Sequence, residues 1–351
     1  MCTLEKVYTE IANSPLNWSY YASPCCNIQG TWNDDAKAAQ FIEDYFKTAG
    51  KGKVVKNRLL DDVKKSACGR LQHSISTFML CLFLSDMVDG ITVPYIRDGF
   101  NEKYFLFLIC LYHDIGYVYE TRCQNRDKKA LQQDGLEAVQ EIYDIQYIHD
   151  REFISYTKEE IDTYLKGKLA ETNPSFGGMP DHGIVGGLML YDRLRKQFEY
   201  SWKHSTRYSG GRRHFYCCGP DGRELHLSNS HFDVYAICAD AIIAHNIFVN
   251  TLNGYLRNAG KPDHTAKIGK DGNPFLYLLA LADSLEPTKR GMTLDQIRVD
   301  KFHKTFSICL DENIEKEVKE KYIEMVLGLK SWMNIGVSID AATDDIQLIL
   351  G

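Results

Sequence analysis

A histidine and an aspartate at adjacent positions, His113 and Asp114, constrain this chain more than any other feature. They follow YFLFLICLY, a run of nine apolar or aromatic residues at 104–112. The run is too short to cross a bilayer and predicts a buried core helix. An imidazole and a carboxylate at the end of such a helix are costly to bury without partners. A metal ion is the favoured partner, because imidazole and carboxylate together suit Zn, Fe, Mn, Co and Ni.

Four more candidate ligands lie in or beside apolar segments that predict helices. They are His73 in LQHSISTFMLCLFL, His182 in DHGIVGGLMLY, His245 in DAIIAHNIF and Asp283 in LYLLALADSLEP. A titratable side chain in such a segment needs a partner. Long stretches of chain separate these positions, so the fold would have to assemble the cluster.

These motifs, in this order, resemble the HD-domain superfamily of metal-dependent phosphohydrolases, in its six-ligand, dinuclear form. The resemblance rests on HSxxTF, HDIG, HGxxGG, AHN and ADSLEP, and it covers roughly residues 57–290. It implies two divalent transition-metal ions, drawn from Fe, Mn, Zn, Co and Ni. By this resemblance Asp114 bridges the ions, and the others divide between them: His73, His113 and Asp283 for the first ion, and His182 and His245 for the second.

The resemblance implies an enzyme that hydrolyses a phosphoester of a nucleotide or another small phosphorylated molecule. A metal-bound hydroxide would attack phosphorus, with Asp114 and His113 as catalytic residues. A different reaction class has the same fold and ligand pattern: the mixed-valent di-iron oxygenases, such as inositol oxygenase and the phosphonate-cleaving oxygenases. A regulatory module with a relic metal site is a third alternative, and the complete ligand set argues against it.

Five further residues are candidates for substrate binding. Tyr117 stands where many members of the family carry a lysine, in HDxGK, that contacts substrate. Lys289 and Arg290 either contact a phosphate or complement the dipole of their helix, and both interpretations stay open. Arg212 and Arg213 follow a Gly-Gly pair. A solvated loop is the favoured interpretation there, and a lid that engages phosphate is the alternative.

The sequence predicts a mainly α-helical fold, an HD-domain helical bundle with an inserted β-hairpin and a small C-terminal α/β element. Thr157 and Glu160 match a capping box, and Asp181 either caps its helix or orients His182, with capping favoured. Helices are predicted at residues 34–49, 57–88, 101–118, 135–148, 157–171, 182–203, 231–248 and 273–290.

The same patterns suggest a division of the chain into domains. Residues 1–33 are aromatic and irregular and predict a short helix followed by a loop. Within the helical domain, two short alternating stretches around GPDG predict the hairpin. The predicted boundaries are an N-terminal segment at 1–33, the helical domain at 34–291 with its insertion at 205–230, and an α/β appendage at 292–351.

Composition narrows the partners and the location. The net charge of −6 argues against a general nucleic-acid binder, which normally shows a basic footprint. The 11 cysteines include no CxxC pair, and several lie in apolar stretches, which favours reduced thiols in the cytoplasm. Neither a signal peptide nor a segment of transmembrane length is visible, so we expect no membrane partner. The oligomeric state has no sequence signal.

Overall fold

The computed structural model is mainly helical, with a small antiparallel sheet of five strands near the C-terminus, and this confirms the predicted fold class. The side chains of residues 46–48 and 197–232 lie outside the described part of the protein. The structure describes residues 1–14, 27–48, 70–88, 102–120, 123, 125–148, 153–171, 180–204, 208–209, 212–213, 216–218, 224–226, 230–340 and 343–350.

The helices are labelled here in chain order. Along the described residues, no single helix has both the length and the apolar character to cross a membrane, and one pair that reaches that length, 233–244 with 249–258, is bent by 81°. The helices are α1 (Leu4–Ala12), α2 (Asp35–Thr48), α3 (Arg70–Ser85), α4 (Glu102–Tyr112), α5 (Tyr117–Glu120), α6 (Asn125–Asp134), α7 (Leu136–Ile142), α8 (Lys158–Ala170), α9 (His182–His204), α10 (Ser230–Ala244), α11 (Val249–Asn258), α12 (Pro274–Leu285) and α13 (Lys316–Leu329).

Helices α3, α4, α10 and α12 pack against one another at the centre of the molecule. Residues 104–112 of α4 are all buried, as the apolar run predicts. A helix that is apolar on every side must be enclosed by other elements. In α12 the start is also specified locally, because the Asn273 side chain accepts a hydrogen bond from the Leu276 amide at 3.1 Å and Pro274 occupies the first turn. These central helices therefore carry the candidate ligands into the core.

Among the helices that end earlier than the sequence predicted, three end at or beside a candidate ligand. Helix α4 ends at Tyr112, so His113 and Asp114 lie in the turn at 113–116 rather than inside a helix at 101–118. Helix α10 ends at Ala244, one residue before His245, and α12 ends at Leu285, where a separate 3₁₀ turn at Thr288–Arg290 follows. The last carbonyl groups of a helix have no partner within it. The two histidines that follow α4 and α10 each bond to one of them.

Other boundaries differ for local reasons. The polar stretch after α5 forms α6, and Gly135, with a φ of 58°, separates it from α7, which ends well before residue 148. Residues 57–69 of the predicted helix 57–88 lie outside the described residues, and the described part begins at Arg70. The capping box is confirmed: Thr157 and Glu160 exchange side-chain and backbone hydrogen bonds at the start of α8.

Within the insertion, β2 (Tyr208–Ser209) pairs with β3 (Arg212–Arg213), which the sequence did not predict. The predicted hairpin around GPDG is formed by β4 (Tyr216–Cys218) and β5 (Glu224–His226), and both pairs are antiparallel. The C-terminal strands are β6 (Ile297–Phe302), β7 (Thr305–Leu310), β8 (Ile335–Ile339) and β9 (Ile346–Leu350). A strand from the N-terminus, β1 (Cys2–Thr3), completes the order β1-β6-β7-β9-β8. The sequence did not predict this strand, because two residues carry no alternating pattern. The division into three domains stays a prediction.

Glycines allow α9 to approach its neighbours closely. A Cβ atom at Gly187 would lie 2.6 Å from the Ala239 carbonyl oxygen, and one at Gly183 would lie 2.7 Å from that of Ile242, both on α10. A Cβ atom at Gly116 would overlap the carbonyl group of His182. The glycines of HDIG and HGxxGG therefore bring the turn after α4 and the start of α9 into contact.

We expect Gly116→Ala to destabilise the protein by about 1–3 kcal/mol or more, because the new methyl group meets backbone atoms that cannot rotate away. The matched control is Gly254→Ala in α11, where an added Cβ meets nothing within 4 Å. That change should be neutral or stabilising by about 0.5–1 kcal/mol. Urea unfolding of both variants checks this, and equal stabilities would contradict the close approach.

Candidate metal centre

Five buried side chains form two groups of ligand atoms that share Asp114. In the first group, atoms of His73, His113 and Asp114 lie within 4.8 Å of one another, and in the second the same holds for Asp114, His182 and His245. All five residues are at most 5% exposed. Each group has the donor types that transition metals take in proteins, so this buried cluster can hold metal ions.

Asp283, the remaining predicted ligand, lies against the first group. Its Oδ1 atom is 3.0 Å from Nε2 of His73 and 3.3 Å from Nε2 of His113. The two Nε2 atoms are themselves 3.3 Å apart. The structure thus brings together all six residues that the motifs predicted, from four helix ends and one helix interior.

Every histidine of the cluster points its Nδ1 atom at a hydrogen-bond acceptor outside the cluster. At His113 and His245 the acceptor is a backbone carbonyl, so in the neutral ring Nδ1 carries the proton and the Nε2 lone pair faces the cluster, as is usual for metal-binding histidines. The four contacts are His73 to Glu286 Oε2 at 3.0 Å, His113 to the Cys110 carbonyl at 2.7 Å, His182 to Glu120 Oε1 at 3.2 Å, and His245 to the Ile242 carbonyl at 2.6 Å.

This arrangement leaves buried acceptors without donors. Nε2 of His245 and Oδ1 of Asp114 are buried and have no hydrogen-bond partner among the described residues. A buried polar atom without a partner costs about 1–3 kcal/mol. A cation between these atoms would satisfy them together, so the residues present fit a metal ion on both sides of Asp114.

The surroundings of the cluster lower the pKa of His245 and raise the pKa of His73. Burial, followed by the charges of His113 and His182, lowers the pKa of His245 to about 3, so this imidazole is neutral and keeps its lone pair. At the other end, burial lowers the pKa of His73, but hydrogen bonds to Asp283 and Glu286 outweigh it and raise the pKa to about 9. The carboxylates around His73 therefore favour a positive charge at this position, and a bound metal ion would supply one.

Two cations contact the carboxylates of the cluster. Arg70 donates from Nη1 to Oδ2 of Asp114 at 2.8 Å, and Lys289 donates from Nζ to Oδ1 of Asp283 at 3.0 Å. Burial lowers the pKa of Lys289, yet the charges of Asp283 and Asp114 raise it above its usual range. Lys289 thus lies at the cluster, whereas Arg290 is exposed and makes no contact with it among the described residues.

Tyr117 lies between Arg70 and His182. The Arg70 guanidinium is 3.8 Å from the centre of the tyrosine ring, and the His182 ring stacks on it at 3.8 Å with an interplanar angle of 16°. Two groups at this distance must occupy opposite faces of the ring. Both faces of the Tyr117 ring are therefore covered by neighbouring side chains.

The other predicted residues are placed as follows. Arg212 and Arg213 form strand β3, and their side chains lie outside the described residues. Asp181 caps α9, since its Oδ1 atom accepts from the Gly183 amide at 2.9 Å, and its Oδ2 atom accepts from Lys168 at 2.7 Å. The favoured capping role of Asp181 is correct, and the carboxylate that holds His182 is Glu120.

Sequence reasoning missed three residues that contact the ligands: Arg70, Glu120 and Glu286. Arg70 has a weak signal, because it precedes His73 by three positions and so lies on the same helix face. Glu286 follows Asp283 at the same spacing, but the end of α12 intervenes. Glu120 has no spacing signal, since its partner His182 is 62 residues away.

Comparison of the chain with protein-family models, curated proteins and solved structures found no match. What links the chain to the HD-domain superfamily is therefore its motifs together with the buried cluster they form. That cluster is compatible with an HD-like metal site.

We expect the purified protein to bind two equivalents of a divalent transition metal per chain. Either His182→Ala or His245→Ala should lower this to one, because each residue belongs only to the second group. Asp114→Ala should weaken both. His303→Asn is the control, since His303 is exposed and has a φ of 51° that asparagine tolerates. Metal analysis after dialysis measures the stoichiometry, and one equivalent or fewer in the unaltered protein would refute a dinuclear centre.

Proposed function

We propose that this protein is a metal-dependent phosphohydrolase of the HD type that cleaves a phosphoester of a nucleotide or another small phosphorylated molecule. The observation that carries the proposal is the set of four imidazoles whose Nδ1 atoms are anchored outward and whose Nε2 atoms surround Asp114. An outward-anchored histidine set around a shared carboxylate can hold the two metal ions of a dinuclear hydrolase.

Some of these residues would bind the metal ions, and others orient the metal-binding side chains. His73, His113 and Asp283 would hold one ion, His182 and His245 the other, and Asp114 both. When bound, such ions supply Lewis acidity toward a phosphoryl oxygen and lower the pKa of water. Glu286 and Glu120 fix the ring orientations of His73 and His182. A dipole or a charge that is already oriented needs no rearrangement during the reaction.

Arg70 and Lys289 support an anionic substrate. Each donates to a carboxylate of the cluster, so each holds positive charge beside the reacting group. Charge-assisted hydrogen bonds to phosphate are among the strong ones, and the arginine fork can engage two oxygens at once. Phosphate oxygens that approach the cluster would meet both cations. This distribution of charge suits a phosphoester better than a neutral substrate.

We expect Lys289→Ala and Arg70→Ala each to raise KM for a phosphorylated substrate by roughly ten- to hundredfold, since a charge-assisted contact contributes about 1.5–3 kcal/mol. Lys289→Arg should retain most of the affinity. Arg290→Ala is the matched control, because this exposed neighbour should change KM by less than about twofold. Steady-state kinetics with metal content measured in parallel checks this. Unchanged kinetics in the Lys289 variant would assign that lysine to the support of Asp283 alone.

Activity on phosphoesters should survive strict anaerobiosis, because hydrolysis needs no oxygen and no change of oxidation state. Mn²⁺, Co²⁺ or Zn²⁺ should restore it to protein stripped of metal, and Asp114→Ala should abolish it. The di-iron oxygenases that share the ligand pattern would behave differently. Oxygen uptake coupled to product formation in iron-loaded protein, with no hydrolysis, would replace our proposal with that class.

A further inference from the structure

A cavity of about 430 Å³ opens on the His182 side of the metal centre. Tyr117, Glu120 and His182 all line it, so it is continuous with the candidate centre. The rest of its lining comes from α8, α11 and the chain between α10 and α11. A ligand that reaches the second group of metal ligands would therefore also contact these elements.

Aromatic side chains form much of this lining. Phe248 is 40% exposed and lines the cavity, so its ring is accessible to a ligand. Its ring is held by an edge-to-face contact with Trp332 at 5.0 Å, and its backbone carbonyl bonds to the Leu252 amide at the start of α11. The ring is thus both accessible and fixed, which suits it to stack against a flat ligand.

Two tyrosines add apolar surface rather than hydroxyl groups. Tyr164 donates to the Asn246 carbonyl at 3.1 Å, and Tyr255 donates to Glu171 at 2.5 Å. Their rings meet at 5.7 Å with an interplanar angle of 66°. Since both hydroxyl groups are occupied, Tyr255 offers a ligand ring surface, and the buried Tyr164 ring packs against it.

The polar groups that remain in the cavity are mostly acceptors. The Asn246 side chain donates to Asp181 at 3.1 Å, while its Oδ1 atom has no hydrogen-bond partner among the described residues. Lys168 is already bonded to Asp181 at 2.7 Å and lies 3.7 Å from Glu120. Glu120 and Glu171 set two carboxylates against the one ammonium of Lys168, so the lining disfavours a phosphate and offers acceptors to a group with N–H donors.

We infer that this cavity binds the organic part of the substrate as a flat heteroaromatic ring with N–H donors, of the kind found in the base of a nucleoside phosphate. Phe248 would stack on the ring, and Oδ1 of Asn246 would accept from its edge. The phosphate would lie toward Arg70 and Lys289, away from the carboxylates of the cavity. Only this last point rests on the proposed function, because ring binding does not require hydrolysis.

The first experiment measures ring binding without catalysis. Adenosine, guanosine, cytidine and uridine are titrated against the protein by saturation-transfer NMR. We expect at least one to bind, and Phe248→Leu to weaken that binding by about tenfold, as expected for the loss of base stacking. Phe248→Tyr should retain it. Phe302→Ala is the matched control, because Phe302 is 73% exposed in the C-terminal sheet and does not line the cavity.

The second experiment compares kcat/KM for the four nucleoside 5′-monophosphates with that for ribose 5-phosphate, which lacks the base. We expect the preferred nucleotide to exceed ribose 5-phosphate by about tenfold or more. Phe248→Leu should remove this preference, and the control Phe302→Ala should retain it. Thermal unfolding confirms that the variant is folded.

The outcomes separate the two proposals. Phe248-dependent nucleoside binding without any phosphatase activity would support the cavity and refute hydrolysis. Equal hydrolysis of nucleotides and ribose 5-phosphate, with no nucleoside bound, would refute the cavity and leave hydrolysis in place. Nucleoside binding that Phe248→Leu does not alter would also refute this cavity as the binding site.

Discussion

The burial of Asp114 among four imidazoles is the constraint on which the centre of this molecule depends. A carboxylate with 4% exposure is stable only where cations or hydrogen-bond donors surround it. Here the charges of His113, Lys289 and His73 lower its pKa well below the usual range although burial raises it. The elements that enclose Asp114 must therefore bring these side chains together at one point.

Carbonyl groups at helix ends anchor two of the four histidines. His113 and His245 each follow a helix and donate from Nδ1 to the carbonyl three residues back, on Cys110 and Ile242. A carbonyl in the last turn has no helical partner, so the imidazole satisfies it and is oriented by it in the same contact. The same local device thus positions two ligands on different sides of Asp114. His73 and His182 lie within and at the start of their helices, where no such carbonyl is available, and carboxylates take its place.

The electrostatic character of the molecule changes across the candidate metal centre. Arg70 and Lys289 contact the carboxylates of Asp114 and Asp283, while the cavity beside His182 presents ring surface and acceptors. Tyr117 lies between the two regions, with Arg70 on one face and His182 on the other. A substrate with an anionic end and an uncharged aromatic end would match both regions at once.

The sequence by itself determined the mainly helical fold, the apolar central helices and the six positions that converge, because each belongs to a local pattern. It placed the ends of α4, α10 and α12 too late, since the periodicity of an apolar run does not reveal which carbonyl an imidazole will satisfy. Only the tertiary structure decided that Glu286 holds His73 across 213 residues, that Glu120 holds His182, and that β1 joins the C-terminal sheet. These contacts join segments far apart in the chain, where spacing carries no information, and they arise only when packing brings the segments together.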